Sequence, residues 1–211
     1  MRNIADCHLY GILDLGYVDE SRLPSVLSEM LEGGVDVVQL RAKNATESKI
    51  EALAAELLPL CRRAEVPFII NDFPGIAAKV GVDGVHVGQD DQPISEVREI
   101  VGEEMLVGKS THSLDQARAA SRETGVDYIG FGPIFATPTK PDYVPIGKAE
   151  IDQVHRDVEL PIFCIGGIKR ENAPEILQAG AKRLVIVSGI LQAANIPEYV
   201  RDVQTLLQSN R

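Results

Sequence analysis

Short apolar runs alternate along the chain with longer segments whose hydrophobic residues recur at helical spacing. In chain order the apolar runs read LYGIL, VVQL, PFII, GVHV, MLVG, YIGF, PIFCI and RLVIV. The segments between them carry charged residues on their outer faces, as in SRLPSVLSEMLEGG and SLDQARAASRETG. Short apolar strands that alternate with helices are typical of a parallel sheet buried on both sides. The pattern therefore predicts an α/β fold.

A repeated tripeptide, GVD, divides the chain further. It occurs at residues 34–36, 81–83 and 125–127, and the GAK of residues 180–182 is a looser fourth copy. Each copy lies between a helical segment and a strand, where glycine commonly closes the helix in a left-handed conformation. The spacing between copies suits two strand–helix units. The eight units together predict a single domain over residues 1–211, a closed (β/α)8 TIM barrel, with an open doubly wound sheet as the alternative.

Composition and charge indicate which kinds of partner and which cellular location to expect. The chain has 211 residues, 45% of them hydrophobic and 25% charged, and a formal net charge of −10. The acidic balance argues against nucleic acid as a partner, although a pocket can still be locally positive. No apolar run is long enough to span a membrane. Three cysteines without paired spacing predict a reducing, cytoplasmic location and argue against a disulfide framework or a zinc site.

Polar residues are concentrated at the carboxyl ends of the predicted strands. In chain order the segments there read QLRAK, ND, GQDD, GKSTH, GPIFATPTK, IGGI and VSGI. In a (β/α)8 barrel these ends meet at one mouth, where the active sites of such barrels lie. The sequence therefore predicts a site at this mouth. One polar residue, His86, lies inside a strand instead, and we expect it to make an interior hydrogen bond.

Cations and hydroxyls at the mouth indicate an anionic ligand. Gln39, Arg41 and Lys43 alternate with apolar residues, which places them on one face of a strand. Arginine and lysine bind phosphate, and Ser110 can donate to a phosphate oxygen. A solvated strand end with unrelated charges is the alternative. In the loop after the sixth strand, prolines on either side of Lys140 restrict the backbone and favour a preorganised anion contact.

Two aspartates that follow neighbouring strands suggest a metal site. Asp72 and Asp91 are hard oxygen ligands without histidine or cysteine beside them, which suits Mg²⁺. Alternatively, each aspartate caps the helix that follows it, and Asp90 competes with Asp91 as the ligand.

The glycine-containing ends of the last two strands, IGGI and VSGI, suit a second anion. Loops at these positions of a barrel often bind a phosphate through backbone N–H groups. The cationic site, assisted by a metal ion, suits a diphosphate. The neighbouring site, built from backbone N–H groups, suits a monophosphate. This combination suggests a reaction that displaces pyrophosphate.

Taken in order and at their spacing, these motifs resemble the thiamine phosphate synthase family over residues 10–190. The resemblance implies a (β/α)8 barrel that joins a hydroxymethylpyrimidine diphosphate to a thiazole phosphate and releases pyrophosphate. It implies Mg²⁺ as the cofactor and small phosphorylated molecules as the partners. It also implies a dissociative path, in which pyrophosphate leaves first and the thiazole nitrogen captures a pyrimidine-methyl cation. The family commonly forms dimers, so a homodimer is expected.

The resemblance also implies roles for individual residues. Those expected to hold the pyrimidine diphosphate are Gln39, Leu40, Arg41, Ala42, Lys43, Asn71, Ser110 and Lys140, with catalytic roles for Arg41, Ser110 and Lys140. Those expected to hold the thiazole phosphate are Thr137, Pro138, Thr139, Gly167, Val187 and Ser188. The expected metal ligands are Asp72 and Asp91.

Three positions depart from the family pattern. Phe73 stands where arginine is usual, Leu13 where threonine is common, and Gly189 where alanine is commoner.

Two other functions are alternatives to the synthase. A related thiazole tautomerase would use a histidine at the position of His112, but it would not need the diphosphate-binding residues. A non-catalytic sensor of a phosphorylated metabolite is the other alternative. Because the diphosphate and metal residues occur together, the sequence favours the synthase.

Overall fold

Eight parallel strands close into a barrel in the computed structural model, which describes residues 3–137 and 144–210. The strands are β1 (Leu9–Asp14), β2 (Val37–Arg41), β3 (Phe68–Asn71), β4 (Gly84–Val87), β5 (Leu106–Thr111), β6 (Tyr128–Phe131), β7 (Ile162–Cys164) and β8 (Leu184–Ile186). Each strand pairs with the next along the chain, and β8 pairs with β1. The closed ring confirms the barrel and is inconsistent with the open sheet. That residues 1–211 form a single domain stays a prediction.

Helices cover the outside of the barrel. They are α1 (Leu23–Gly33), α2 (Glu47–Arg63), α3 (Pro74–Val80), α4 (Ile94–Val101), α5 (Leu114–Arg122), α6 (Ile151–Asp157), α7 (Ala173–Gln178), α8 (Ser188–Leu191) and α9 (Ile196–Ser209). Short 3-10 helices span Ile4–Asp6 and Glu20–Arg22. The four-residue α8 is an addition to the alternating pattern, and it follows β8 directly. Within the described part of the chain, no helix is long and apolar enough to cross a membrane.

The alternation of side chains along each strand produces two cores. One core fills the barrel interior and contains Ile4, Cys7, Tyr10, Ile12, Val37, Ile69, Tyr128, Phe163 and Val185. The larger core lies between the strands and the helices and takes the other face of each strand, for example Leu13 and Leu40. Residues one position apart on a strand therefore belong to different environments.

The GVD repeat has a structural role at the N-terminal end of the barrel. The glycine of every copy has a positive φ, from 74° to 103°, which is consistent with the predicted left-handed helix ends. The aspartate of each GVD copy accepts a hydrogen bond from a backbone N–H at the start of the preceding strand. Asp36 Oδ2 lies 2.9 Å from Leu9 N, and Asp83 Oδ2 lies 2.8 Å from Phe68 N. Asp127 Oδ2 likewise lies 2.7 Å from Val107 N.

These aspartates tie strands together in pairs: β1 to β2, β3 to β4, and β5 to β6. The fourth copy has Lys182 in place of the aspartate. There the neighbouring Arg183 donates to the carbonyls of Cys7 and Ala5, at 3.1 and 2.6 Å, and fastens the N-terminal segment instead. The repeat therefore stabilises the end of the barrel opposite the predicted site.

We expect Asp83→Ala to lower the free energy of unfolding by roughly 1–3 kcal/mol, because it leaves the Phe68 N–H without its acceptor. Urea denaturation measures this change. Asp115→Ala is the control, since that side chain is 93% exposed and its ion pair with Arg118 lies on the surface. Equal stability of the two variants would contradict a structural role for the repeat.

Candidate active site

A cleft opens at the carboxyl ends of the strands. The inward-facing side chains at this end line it together with the loops after β6, β7 and β8. Of the residues expected at the site, the lining includes Gln39, Arg41, Asn71, Ser110, Thr137, Gly167, Val187 and Ser188. The barrel thus gathers these expected residues from six strands and their loops around one space, and residues of β1 and β4 complete the lining.

Side chains at the end of β2 point alternately into the cleft and into the outer core. Gln39 and Arg41 face the cleft, whereas Leu40 and Ala42 are 1% and 5% exposed and pack in the outer core. Only the backbone of Leu40 and Ala42 is therefore placed for a ligand contact. Lys43 is exposed beyond the end of the strand and is not among the residues that line the cleft. The alternation predicted for this segment holds as far as Arg41.

Arg41 is held by an aspartate that the sequence analysis did not select. Its Nη1 lies 2.6 Å from Asp14 Oδ2, and these side chains are 14% and 3% exposed. The pairing of β1 with β2 places Asp14 directly opposite Arg41. Asp14 Oδ1 also accepts a hydrogen bond of 2.8 Å from Gly16 N, which fixes the carboxylate. Asp14 therefore orients the guanidinium and offsets part of its charge. The alternation along β1 places Asp14 on the inward face, but its role depends on the residue paired with it.

A chain of polar side chains crosses the barrel interior beneath the cleft. Gln39 Nε2 donates to the Tyr10 hydroxyl at 2.9 Å, and the hydroxyls of Tyr10 and Tyr128 are 3.2 Å apart. The Tyr128 hydroxyl is 3.2 Å from His86 Nδ1, and His86 Nε2 is 2.9 Å from Ser110 Oγ. The interior hydrogen bond predicted for His86 is therefore confirmed.

Both tyrosines in this chain are neutral phenols. Burial raises the pKa of Tyr10 and carries that of Tyr128 well above its ordinary value. The sequence analysis selected neither tyrosine, because each lies within an apolar run and resembles an ordinary core residue.

The two aspartates expected to bind a metal do not occupy N-cap positions. The N-cap residues of α3 and α4 are Phe73 and Pro93. Asp72 has a φ of 66°, in the left-handed region, which places its side chain where a regular helix start would not. Asp91 Oδ2 accepts a hydrogen bond of 2.6 Å from Gly88 N, which orients its carboxylate. Neither aspartate is therefore the N-cap residue of the helix that follows it.

The two aspartates follow neighbouring strands, β3 and β4, and neither is among the residues that line the cleft. Asn71, the last residue of β3, is paired with His86 of β4; Asp72 follows Asn71 directly, whereas Asp91 follows His86 after the segment Val87–Asp90. Two carboxylates fit Mg²⁺, which keeps waters and substrate oxygens in the rest of its shell. Within residues 3–137 and 144–210 no cluster of three or more histidine, cysteine or acidic side chains could hold a metal. Asp90 is exposed beside Asp91 and remains the competing ligand.

The loops after β6 and β7 are fastened to each other. Ile134 N and Phe135 N donate to the carbonyls of Ile165 and Gly166, at 2.8 and 3.0 Å. Gly166 has a φ of 101°, and a Cβ there would lie 2.4 Å from Pro133 Cα. This contact requires glycine and holds the two loops side by side. Thr137 continues from this contact into the cleft lining, whereas Pro138, Thr139 and Lys140 lie outside the described residues.

The end of β8 forms the remaining wall of the cleft. Val187 and Ser188 line it, and Ser188 is the first residue of α8. The first backbone N–H groups of a helix have no partner within the helix, so they are open to an anion. This wall and Gly167 face the same space as Arg41 and Ser110.

Comparison with known proteins identifies the family. The family model described as thiamine monophosphate synthase matches residues 9–190. The thiamine-phosphate synthase of Halalkalibacterium halodurans is 39% identical over 204 residues, which is 96% of each chain. That of Chloroflexus aurantiacus is 40% identical over 206 residues, or 97% of this chain and 94% of the other. The chain belongs to the thiamine monophosphate synthase family.

A solved structure supports the same assignment. The thiamine phosphate pyrophosphorylase from Pyrococcus furiosus superposes with a TM-score of 0.89 at 28% identity, and the match covers 99% of each chain. The family resemblance predicted from the motifs is confirmed. The chain is accordingly an enzyme, a transferase of thiamine biosynthesis.

The structure shows the surroundings of the three residues that depart from the family pattern. Leu13 is fully buried in the outer core, so it does not contact the cleft. Phe73 is the N-cap residue of α3 and packs against the outer core. Glycine at 189 accommodates Tyr199, because a Cβ there would lie 2.4 Å from the Tyr199 hydroxyl. That hydroxyl accepts a hydrogen bond of 2.6 Å from Arg170 N and so joins α9 to the loop before α7.

His112, the histidine considered for proton transfer, lies on the cleft wall. Its Nδ1 is 2.6 Å from the carbonyl oxygen of Gly132, so Nδ1 carries a proton that it donates to that carbonyl. Its backbone N–H donates to Gln116 Oε1 at 2.8 Å. These contacts orient the ring, and a role in proton transfer stays a prediction.

We expect Gly166→Ala to lower kcat/KM at least about tenfold and to destabilise the fold, because its Cβ would displace the loop after β6. Gly34→Ala is a matched control. Its φ of 93° incurs a similar backbone cost of about 1–2 kcal/mol, yet nothing lies within 4 Å of its Cβ. Steady-state kinetics and urea denaturation of both variants separate the two effects. If Gly166→Ala kept full activity, the fastening of these loops would be irrelevant to the site.

Proposed function

We propose that the chain condenses 4-amino-2-methyl-5-(diphosphomethyl)pyrimidine with 4-methyl-5-(2-phosphoethyl)thiazole, or its carboxylate form, in a Mg²⁺-dependent reaction. The products are thiamine phosphate and pyrophosphate. The observation that carries this proposal is that one cleft brings together two groups of residues whose chemistry suits anions. Arg41, Asn71 and Ser110 lie on one side, and Gly167 and Ser188 lie on the other.

The diphosphate subsite is proposed on the side of β2, β3 and β5. The guanidinium of Arg41 is held by Asp14 at one nitrogen, which leaves its remaining N–H groups for phosphate oxygens. The Asn71 amide and the Ser110 hydroxyl line the same side of the cleft. Lys43 would add positive charge from beyond the end of β2, and Lys140, which lies outside the described residues, is proposed to add charge to the same subsite. This side therefore suits the more highly charged of the two substrates.

Mg²⁺ is proposed to be held by Asp72 and Asp91 with the diphosphate oxygens. The orientation of Asp91 by Gly88 N and the left-handed backbone at Asp72 support the assignment. When bound, Mg²⁺ would neutralise charge that develops on the departing pyrophosphate. Asp91 is exposed and Asp72 is half-buried, so a hydrated ion can reach both.

The thiazole phosphate subsite is proposed on the side of β7 and β8. Gly167 lines the cleft, and glycine is required there because its φ is 64° and a Cβ would lie 2.7 Å from Phe135 Cβ. Val187 and Ser188 present backbone N–H groups and one hydroxyl. Thr137, with Pro138 and Thr139 beyond the described residues, would close this subsite from the loop after β6.

The proposed chemistry needs positioning and charge stabilisation rather than a side-chain nucleophile. The bond between the pyrimidine methylene carbon and the diphosphate oxygen breaks, and its electron pair leaves with pyrophosphate. The thiazole nitrogen then donates its lone pair to the methylene carbon. Arg41, Ser110 and Lys140 stabilise the charge on the leaving group, which lowers the barrier at the point where that charge develops.

The tautomerase and sensor alternatives lack a use for the diphosphate side of the cleft. Arg41 is oriented into that side by a nearly buried carboxylate, and orienting a cation in this way costs desolvation that a monophosphate site at β7 and β8 would not require.

A homodimer and a cytoplasmic location remain proposals. The second is supported by the three cysteines, which are buried and form no disulfide within the described part of the chain. Burial raises the pKa of Cys61 and Cys164 to about 12, which makes their thiols unreactive.

Pyrophosphate release with both substrates present, followed with and without Mg²⁺, tests the proposal. We expect Asp72→Asn and Asp91→Asn to raise the Mg²⁺ concentration needed for half-maximal rate at least about tenfold, because each removes a charged ligand. Asp90→Asn decides between the adjacent aspartates and is expected to leave that concentration unchanged. No pyrophosphate release from the wild-type protein, with thiazole phosphate binding intact, would reject the synthase assignment.

Lys140→Ala tests the loop after β6. Removing a charged hydrogen-bond donor from the leaving group should cost about 2 kcal/mol, a roughly thirtyfold fall in kcat/KM for the pyrimidine diphosphate. Lys148→Ala is the control, because Lys148 is an exposed lysine whose Nζ pairs with Glu175 at 2.5 Å. Unchanged kinetic constants for Lys140→Ala would show that this loop does not contact the diphosphate.

A further inference from the structure

The polar chain in the barrel interior joins two residues proposed to bind the pyrimidine diphosphate. It begins at Gln39 on β2 and ends at Ser110 on β5. Tyr10, Tyr128 and His86 lie between them, on three other strands. A buried chain of this kind has a direction, since each hydroxyl has only one proton to donate.

The interior is shaped to hold this chain. The ring of Phe163 packs edge-on against both tyrosine rings, with centroid distances of 5.4 and 5.7 Å. Gly108 provides the space in which Tyr128 meets His86, because a Cβ there would lie 2.2 Å from Tyr128 Cζ and 2.5 Å from His86 Nδ1. The rings are therefore fixed by packing, and the hydrogen bonds follow from their placement.

The direction follows from the proton count. Gln39 Nε2–H donates to the Tyr10 oxygen, so the Tyr10 proton goes to the remaining neighbour of that hydroxyl, Tyr128. Tyr128 in turn donates its own proton to His86 Nδ1. His86 then carries its proton on Nε2 and donates it to Ser110 Oγ. The Ser110 proton is left to point into the cleft.

We propose that Tyr10, Tyr128 and His86 are positioning residues that hold His86 in the Nε2–H tautomer and thereby make Ser110 a hydrogen-bond donor in the cleft. At the other end, the same direction turns the Gln39 carbonyl oxygen towards the cleft as an acceptor. The inference rests on the proposed function for its substrate. A donor at Ser110 suits an anionic phosphate oxygen, and an acceptor at Gln39 suits the amino group of the pyrimidine.

The opposite direction would reverse both ends. Ser110 would donate to His86 Nε2 and present a lone pair to the diphosphate, and the Gln39 amide would have to rotate to accept from Tyr10. If the amide did not rotate, the Tyr10 oxygen would accept two hydrogen bonds, and among the described residues its proton would have no acceptor. A buried donor without an acceptor is costly. The two directions therefore differ in the tautomer of His86, which can be measured.

Nitrogen-15 NMR of histidine-labelled protein tests the tautomer directly and does not depend on turnover. We expect His86 to show a protonated Nε2 and an unprotonated Nδ1, with the signals assigned by their loss in His86→Gln. A protonated Nδ1, or protons on both nitrogens, would overturn the inference even if the protein released pyrophosphate. The expected tautomer in a protein without turnover would leave the inference standing and reject only the proposed function.

Variants in the chain then test positioning. Tyr128→Phe removes the donor to His86 Nδ1 and should abolish the single tautomer. It should also lower kcat/KM for the pyrimidine diphosphate about tenfold, with KM for the thiazole phosphate unchanged. Tyr199→Phe removes a tyrosine hydroxyl outside the chain and should leave the tautomer as it is. An equal rise in both KM values would indicate a loosened barrel and would contradict a positioning role.

His86 itself provides a rescue test. Glutamine places an amide N–H near the position of Nε2 and can still donate to Ser110, whereas leucine cannot. We expect His86→Gln to keep about tenfold more kcat/KM than His86→Leu. Thermal unfolding of both variants checks that each is folded at the assay temperature. Equal activity of two folded variants would show that the donor to Ser110 is irrelevant.

Discussion

The closure of eight parallel strands into one ring is the constraint on which the rest of the structure depends. Each strand has alternating side chains, and closure sends one set into the barrel and the other towards the helices. Because the strands are parallel, all their carboxyl ends meet at one mouth. The paired register then determines which side chains meet there, as when it places Asp14 opposite Arg41. Site geometry is thus a consequence of strand register.

The two ends of the barrel carry different tasks. At the N-terminal end, the aspartates of the GVD repeat accept backbone N–H groups and join strands in pairs. At the carboxyl end, glycines and short loops leave room for ligands, and Gly166 allows two loops to lie in contact. The interior between them is not purely apolar, since a hydrogen-bonded chain connects β2 with β5. Residues that stabilise the barrel therefore lie at its N-terminal end, and residues proposed for catalysis lie at its carboxyl end. The interior hydrogen-bonded chain connects opposite walls of the cleft.

Features that depend on short stretches of sequence could be predicted, and those that depend on strand register could not. The strands, the left-handed glycines of the repeat and the gathering of Gln39 and Ser110 at one mouth follow from local patterns. Asp14 was missed because its role depends on the residue opposite it, 27 positions away. Tyr10 and Tyr128 were missed because an apolar run does not reveal which hydroxyls meet across the barrel. Leu40 and Ala42 were assigned to the site as part of a motif, although the alternation turns their side chains away.

The central claim is that one mouth holds two separate anion subsites, one for a diphosphate and one for a monophosphate. Isothermal titration calorimetry of inorganic pyrophosphate with Mg²⁺, carried out in the absence and in the presence of saturating thiazole phosphate, tests this claim most directly. The account predicts that pyrophosphate binds in both titrations with one site per chain and that its affinity does not fall when the thiazole phosphate is bound. Mutually exclusive binding of the two ligands would show that they share one subsite and would contradict the account.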